Sequence, residues 1–168
     1  RELGTIIDGL VARGTKVDTI YIDGGTPTVL SHFHLETLLM MVKKCVLDRF
    51  SIREYTVEAG RPDSLDKGKL ELMKKWGVNR LSINPQTMNQ ETLDLVGRNH
   101  TVEDIINIFY QAREIGFGFI NMDVILGLPG ETPEHMNHTM KEMAALNPEN
   151  ITVHTLAVKR ASAWKESF

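Results

Sequence analysis

Chemistry-bearing residues in this chain collect where short apolar runs end. The first run, "TIYID", stops on Gly24-Gly25-Thr26-Pro27-Thr28. Without Cβ atoms, Gly24 and Gly25 let backbone N–H and C=O groups come close to a ligand, Thr26 adds a hydroxyl, and Pro27 stiffens the exit. Four later runs, "EYTVEA", "RLSIN", "INMDVIL" and "ITVHTL", carry Glu58, Gln86 (just beyond its run), Asp123 and His154 at the same relative place. Side chains alternate across a strand. Parity therefore puts Tyr55 and Val57 opposite Thr56 and Glu58, and Leu81 and Ile83 opposite Ser82 and Asn84. It likewise puts Ile120, Met122 and Val124 opposite Asn121 and Asp123, and Ile151 and Val153 opposite Thr152 and His154. The apolar face belongs under helices and the polar face on a concave side. Interiors of complete small barrels are packed with branched apolar residues. A polar interior predicts instead an open, wet cleft that holds a ligand at the strand C-termini. Solvent exposure alone does not account for acids and amides gathered at one end.

The elements between the runs are helical. "LETLLMMVKKCVLDRF", "KLELMKKWG", "VEDIINIFYQAREIG" and "HMNHTMKEMAAL" place apolar residues at helical spacing. Thr101 with Asp104 forms an [ST]-x-x-[DE] start, and Thr132 before Pro133 a cap followed by proline at the first helical position. Gly77 and Gly116 stand where left-handed C-terminal caps are needed. Strand and helix in alternation mean βα units and a parallel sheet, an α/β fold. A closed eight-unit barrel takes about 250 residues, so 168 residues predict an open sheet, a partial barrel or a barrel without its start. Net charge is −3, with 19 basic and 22 acidic residues interspersed. This pattern gives no stripe for nucleic acid. No apolar run approaches the length of a membrane span, and the single cysteine, Cys45, points to a reducing, cytoplasmic setting. Cys45 sits mid-helix and reads as a small buried hydrophobe. His135 and His138, one turn apart, read as a solvated helix face, and His32 and His34 as residues of a helix start. The opening "RELGTII" and the ending "RASAWKESF" read as cuts within a longer protein.

Several strings together resemble the radical S-adenosylmethionine enzymes, in the branch containing oxygen-independent coproporphyrinogen III oxidase. "GGTPT" resembles the end of that branch's Gly-Gly-Gly-Thr-Pro-Thr motif, and "TVEAGRPDS" its third-strand Glu segment. "RLSINPQTM" resembles its Ser-x-x-x-Gln segment, "LVGRNHT" its Leu-Gly-Arg-x-His-Thr segment, and "NMDVILGLPGET" its Asp-x-x-x-Gly-Leu-Pro-Gly-x-Thr segment. The resemblance implies a partial (β/α)6 barrel, of which residues 1–168 supply the second to sixth strands. It also implies that the Cys-x-x-x-Cys-x-x-Cys loop holding the family's [4Fe–4S] cluster lies outside this chain. An unpaired edge at Thr19–Asp23 would then be covered by residues 1–14 or by another chain, including a second copy.

The same resemblance assigns roles toward S-adenosylmethionine. Gly24, Gly25 and Thr26 would face the methionyl amine, and Glu58 that amine or the ribose. Gln86 and Asp123 would hold ribose hydroxyls, and Arg98 the methionyl carboxylate. Gly127 to Gly130 would pass close to the adenine, with Leu156 beside it. Asp23 stands where the family's first glycine usually is and receives no role. The implied reaction is radical decarboxylation of the propionates of coproporphyrinogen III to the vinyl groups of protoporphyrinogen IX, fed by a reducing electron donor. This chain by itself would be inactive. Two other readings remain open. One is haem trafficking on the same barrel. The other is an ordinary α/β enzyme binding phosphate at "GGT" and "GLPGET", where helix N-termini favour anions, although Glu58 and Asp123 on that rim would repel a dianion.

Overall fold

Parallel neighbours cannot be joined by a tight turn, so each strand here returns through helical structure before its partner starts. The computed structural model describes residues 2–157. Helix α1 (Glu2–Ala12) leads to β1 (Thr19–Ile22), α2 (His32–Val42), β2 (Glu54–Gly60), α3 (Lys67–Lys75) and β3 (Arg80–Gln86). The chain continues through α4 (Gln90–Leu95), α5 (Val102–Ile115), β4 (Phe119–Leu126), α6 (Pro133–Leu146) and β5 (Asn150–Thr155). All strands are parallel in the order β1-β2-β3-β4-β5, a half-barrel with helices outside. Among the described residues the outer edge of β1 pairs with no strand.

The convex face carries the core. Tyr55, Val57, Leu81, Ile83, Ile120, Met122 and Val124 are each at most 1% exposed and meet Leu39 of α2, Leu70 and Met73 of α3, and Ile105 and Phe109 of α5. Full burial of such side chains contributes about 1.5–3 kcal/mol apiece, and this contact holds the sheet's curvature. The expected parity holds on the middle strands and weakens on β5. There Ile151 is half-buried and Val153 is 52% exposed. β5 is flanked on one side only, by β4, and no helix among the described residues follows to cover its apolar face.

Helix ends follow the sequence signals closely. Thr101 and Asp104 form a reciprocal capping box, and Gly116 closes α5 at φ 95°. Gly77 follows α3 at φ 91°. Pro133 takes the first position of α6. The long apolar run from Leu35 to Phe50, expected as one helix, is two pieces: α2 stops at Val42 and a π-turn follows at Lys43–Leu47. The Asp48 N–H reaches back to the Lys43 carbonyl at 3.0 Å and a Lys43–Asp48 ion pair at 2.9 Å clips the widened turn. Cys45 lies in it, half-buried against the core rather than sealed inside. Strand limits shift by a residue or two from expectation. β1 stops before Asp23, whose carboxylate turns back onto the Gly24 N–H. β3 runs on through Pro85 to Gln86 by way of a bulge.

Loss of the α5 cap should be measurable without touching the sheet. Thr101→Ala removes one half of the box and should cost about 1 kcal/mol, a fall in Tm of roughly 2–4 °C for a chain of this size. A melting temperature unchanged from wild type would show that the cap contributes nothing here.

Candidate functional site

Because the strands are parallel, every turn leaving a strand C-terminus opens on one rim. Gly24 follows β1, Arg61 follows β2, Thr87 follows β3, Gly127 follows β4 and Leu156 follows β5. Below the rim the concave face forms a groove of about 250 Å³, lined among others by Tyr21, Thr56, Ser82, Asn121, Asp123 and His154. Its floor is closed by Arg80, which pairs with Glu54 and lies 3.5 Å from the centroid of the Phe119 ring.

Side chains across the groove are tied in a ladder, which fixes their orientation before any ligand arrives. Asn121 Nδ2 donates to Ser82 Oγ at 2.8 Å and to Asp123 Oδ1 at 2.6 Å, while Thr152 Oγ1 donates to Asn121 Oδ1 at 2.9 Å. Asn84 Nδ2 donates to Glu58 Oε1 at 2.7 Å. His154 Nε2 stands 3.8 Å from Asp123 Oδ2 at the open side. Glu58 is pushed up to about 7, first by burial and then by Asp23 and Asp123, the Asn84 bond opposing the shift. Asp23 is held below its usual range by the hydrogen bond with Glu58 and by the Gly24 N–H. Of these two carboxyl groups, Glu58 is therefore the one that keeps its proton toward neutral pH, while Asp23 is ionised.

The glycine turn at the end of β1 needs its glycines for conformation. Gly24 and Gly25 have φ of 98° and 67°, and a Cβ on either would meet nothing within 4 Å, so the space over them is open. Asp23 already takes the Gly24 N–H. Thr26 packs directly over Gly60, which has φ 58° and no room for a Cβ beside the Thr26 methyl. Behind this contact Thr28 Oγ1, fully buried, donates to the Ala59 carbonyl at 2.8 Å, and Lys69 Nζ donates to the Thr28 carbonyl. The turn after β1 is therefore bolted to the turn after β2.

The remaining expected site residues lie along the same rim. Gln86 has a left-handed backbone (φ 71°), and its Oε1 is buried with no partner among the described residues. The bulge that carries it lets three residues of β3 span two of β4, with Ile83 opposite Met122 and Gln86 opposite Val124. Simple alternation cannot foresee such a shift. Arg98 is half-buried beside Arg61 and Asp63 and makes no ion pair among the described residues. Burial, then Arg61, lowers its pKa. A Cβ on Gly127 would lie 4.0 Å from that of Leu156. Beside Gly127, a cavity of about 310 Å³ is walled mainly by Leu126, Pro133 and Met136.

Sequence reasoning missed three groups here. Thr139, fully buried, bonds Thr87 Oγ1 at 3.2 Å and receives the Met88 N–H at 3.0 Å. Glu131 joins them through Thr87 and Asn89, locking the turns after β3 and β4 together. The available signal was a threonine inside the stripe Met136, Thr139, Met143, Leu146. His135 is a helix cap, its Nδ1 accepting the Thr132 N–H at 3.1 Å. Arg61, Asp63 and His100 form a cluster around Arg98 and had no sequence signal beyond their motif strings.

Comparison with known proteins agrees with this fold. A model described as the Radical SAM superfamily matches residues 1–143. The oxygen-independent coproporphyrinogen-III oxidase-like protein HemZ of Bacillus subtilis is 44% identical over 161 residues, 96% of this chain and 32% of that protein. The heme chaperone HemW of the same organism is 40% identical over 84% of this chain and 37% of its own. The solved coproporphyrinogen III oxidase HemN of Escherichia coli superposes with a TM-score of 0.77 at 32% identity, covering 92% of this chain and 36% of its own. The chain thus spans about a third of the length of the relatives it matches.

The carboxyl pair generates a pH-dependent expectation. A carboxyl group raised in the folded state binds its proton more tightly there than when unfolded. Stability is therefore lost as pH rises from the ordinary carboxylate range through 7. Glu58→Gln should leave Tm near wild type at pH 5 and raise it at pH 8 by roughly 2–4 °C. That is about 1 kcal/mol after allowance for solvent screening. Equal effects at both pH values would show that Glu58 does not titrate in this window.

Proposed function

Because this chain belongs to the Radical SAM superfamily, we propose that its rim binds S-adenosylmethionine. We propose too that the protein built on this barrel decarboxylates the propionate side chains of a porphyrinogen, coproporphyrinogen III by its relatives' names. One observation carries the reading: the rim has two opposite poles. The Asp23–Glu58 carboxyl pair stands at the β1 and β2 ends, and a half-buried Arg98 stands without a carboxylate partner among the described residues. That polarity suits the ammonium and carboxylate of one amino-acid group.

The residues present fit the rest of the cofactor. Gly24, Gly25 and Thr26 leave open space above the ammonium pole, and Asp123, fixed by Asn121, offers acceptors to ribose hydroxyls. The orphaned Gln86 Oε1 offers another. Gly127, with Leu156 beside it, borders a largely apolar cavity of a kind that takes a flat base. With an iron–sulfur centre supplied from outside this chain, the cofactor would supply abstraction of a hydrogen atom from a propionate, and loss of CO2 with transfer of one electron to an external acceptor would leave a vinyl group. This chain's residues contribute orientation and a Glu58 that ionises as the ammonium arrives. The cluster does not fit residues of this chain. Cys45 is its single cysteine, and among the described residues no group of three His, Cys, Asp or Glu could hold a metal. In this reading residues 1–168 would form the barrel core of a cytoplasmic protein whose cluster ligands and electron donor lie outside them. No helix among the described residues is long and apolar enough to cross a membrane.

A second reading has its own support, since the chaperone HemW of Bacillus subtilis is 40% identical: the parent protein would bind haem and hand it on. Upstream of Arg1, the decarboxylase reading expects the frame to encode Cys-x-x-x-Cys-x-x-Cys, and the parent protein to release CO2 from coproporphyrinogen III. Retention of haem without CO2 release would favour the chaperone. For the chain itself, S-adenosylhomocysteine should bind at about millimolar Kd by calorimetry, near −4 kcal/mol. Glu58→Gln and Arg98→Met should each weaken it about tenfold, and the surface change Glu91→Gln should not. Identical affinities in all four proteins would sink the cofactor assignment.

A further inference from the structure

Arg98 does not stand alone. Arg61 Nε lies 3.8 Å from Asp63 Oδ1, and His100 Nδ1 lies 3.6 Å from the same oxygen. With His100 neutral, two guanidinium groups face one carboxylate, and the cluster keeps one uncompensated positive charge. Arg98 feels Arg61 as repulsion and Asp63 as attraction. A half-buried guanidinium beside a second one is unfavourable unless an anion joins them.

His100 is the second, independent sign. It is 1% exposed, its side chain fully enclosed, and neither ring nitrogen has a hydrogen-bond partner among the described residues. A buried imidazole left unbonded is destabilising and calls for an explanation. At 3.6 Å the Asp63 contact is too long for a hydrogen bond, and a sub-ångström shift of the carboxylate makes it one. Contacts of this length in free sites tighten when ligand arrives. Burial holds the ring neutral, so one N–H is available to donate. Arg61 follows Gly60, on which Thr26 packs, so the cluster adjoins the glycine turn.

We infer that Arg61, Asp63 and His100 complete a carboxylate subsite around Arg98, Arg61 supplying a second guanidinium while His100 holds Asp63 from behind. In the free site Asp63 restrains Arg61. When a carboxylate enters, both arginines turn to it and Asp63 settles on the His100 N–H. Arg61 and Arg98 are the binding groups, and Asp63 and His100 are positioning residues. The inference rests on the cofactor reading for the identity of the anion, the methionyl carboxylate, and not for the existence of the subsite.

The test compares two ligands on the full chain: S-adenosylhomocysteine and its decarboxylated analogue, which keeps the ammonium and the nucleoside. Arg61→Gln, at a partly exposed position that the fold tolerates, should weaken the first about tenfold, equal to 1.4 kcal/mol, and leave the second unchanged. Asp63→Asn, which removes the carboxylate that competes for Arg61, should strengthen the first ligand selectively, and His100→Gln should weaken it selectively. Should His100→Gln fail to fold, Asp63→Asn carries that arm alone. Acetate serves as a probe independent of the nucleoside and should perturb the Arg61 and Arg98 guanidinium NMR signals together. That response without S-adenosylhomocysteine binding would support the subsite and remove the cofactor reading. Equal losses for both ligands in Arg61→Gln, or acetate perturbing Arg98 alone, would overturn the inference.

Discussion

The two-residue alternation of a strand, repeated on parallel neighbours in register, is the constraint on which the rest of this molecule depends. In β3 and β4, Leu81 faces Ile120 and Ser82 faces Asn121. Each matched pair adds one apolar contact to the convex side and one polar contact to the concave side. The helices can cover only one of these faces. Burial of the convex residues therefore obliges Ser82, Asn121 and Thr152 to face the groove, where they must bond one another or water. They bond one another, and that ladder then aims Asp123. The groove is the other side of the core.

Parallel direction adds the second consequence. All strand C-termini emerge together, so turns distant in sequence become neighbours on one rim. Thr26 meets Gly60, Thr87 meets Glu131, and Gly127 meets Leu156. The glycines at Gly24, Gly25 and Gly60 are required by positive φ, and only Gly60 is additionally crowded. The rim is thus rigid at the β1–β2 junction and open above it. Such an arrangement orients a ligand without closing over it.

How legible this was varies with the range of the interaction. Local rules read well: the caps at Thr101 and Gly116, and the alternating faces of β2, β3 and β4, depend on residues within a turn or two. Glu58 and Asp123 were visible because each breaks an apolar pattern at a strand end. The Gln86 bulge was not, since it arises from how β3 pairs with β4 and not from β3 alone. Val153 looked like core because alternation says which face a residue takes, not whether a helix lies over that face. The π-turn at Lys43–Leu47 hides within a pattern that suits an α-helix equally well. His100 was least legible, for its meaning comes from Asp63 and Arg61, which follow another strand.

Charge distribution along the rim favours one ligand class over another. Asp23, Glu58 and Asp123 form an acidic arc at one part of the rim, and Arg61 and Arg98 a basic pole at another. A phosphate dianion at the glycine turn would face the carboxylates of the arc, and that repulsion works against what two backbone N–H groups return. The Gly24 N–H is moreover already engaged by Asp23. In the proposed reading a zwitterion would meet each pole with the opposite sign, its ammonium favouring ionised Glu58. Acid at the first glycine position would then be no conflict, since the carboxylate would lie toward the arginines and Asp23 would add to the acidic arc.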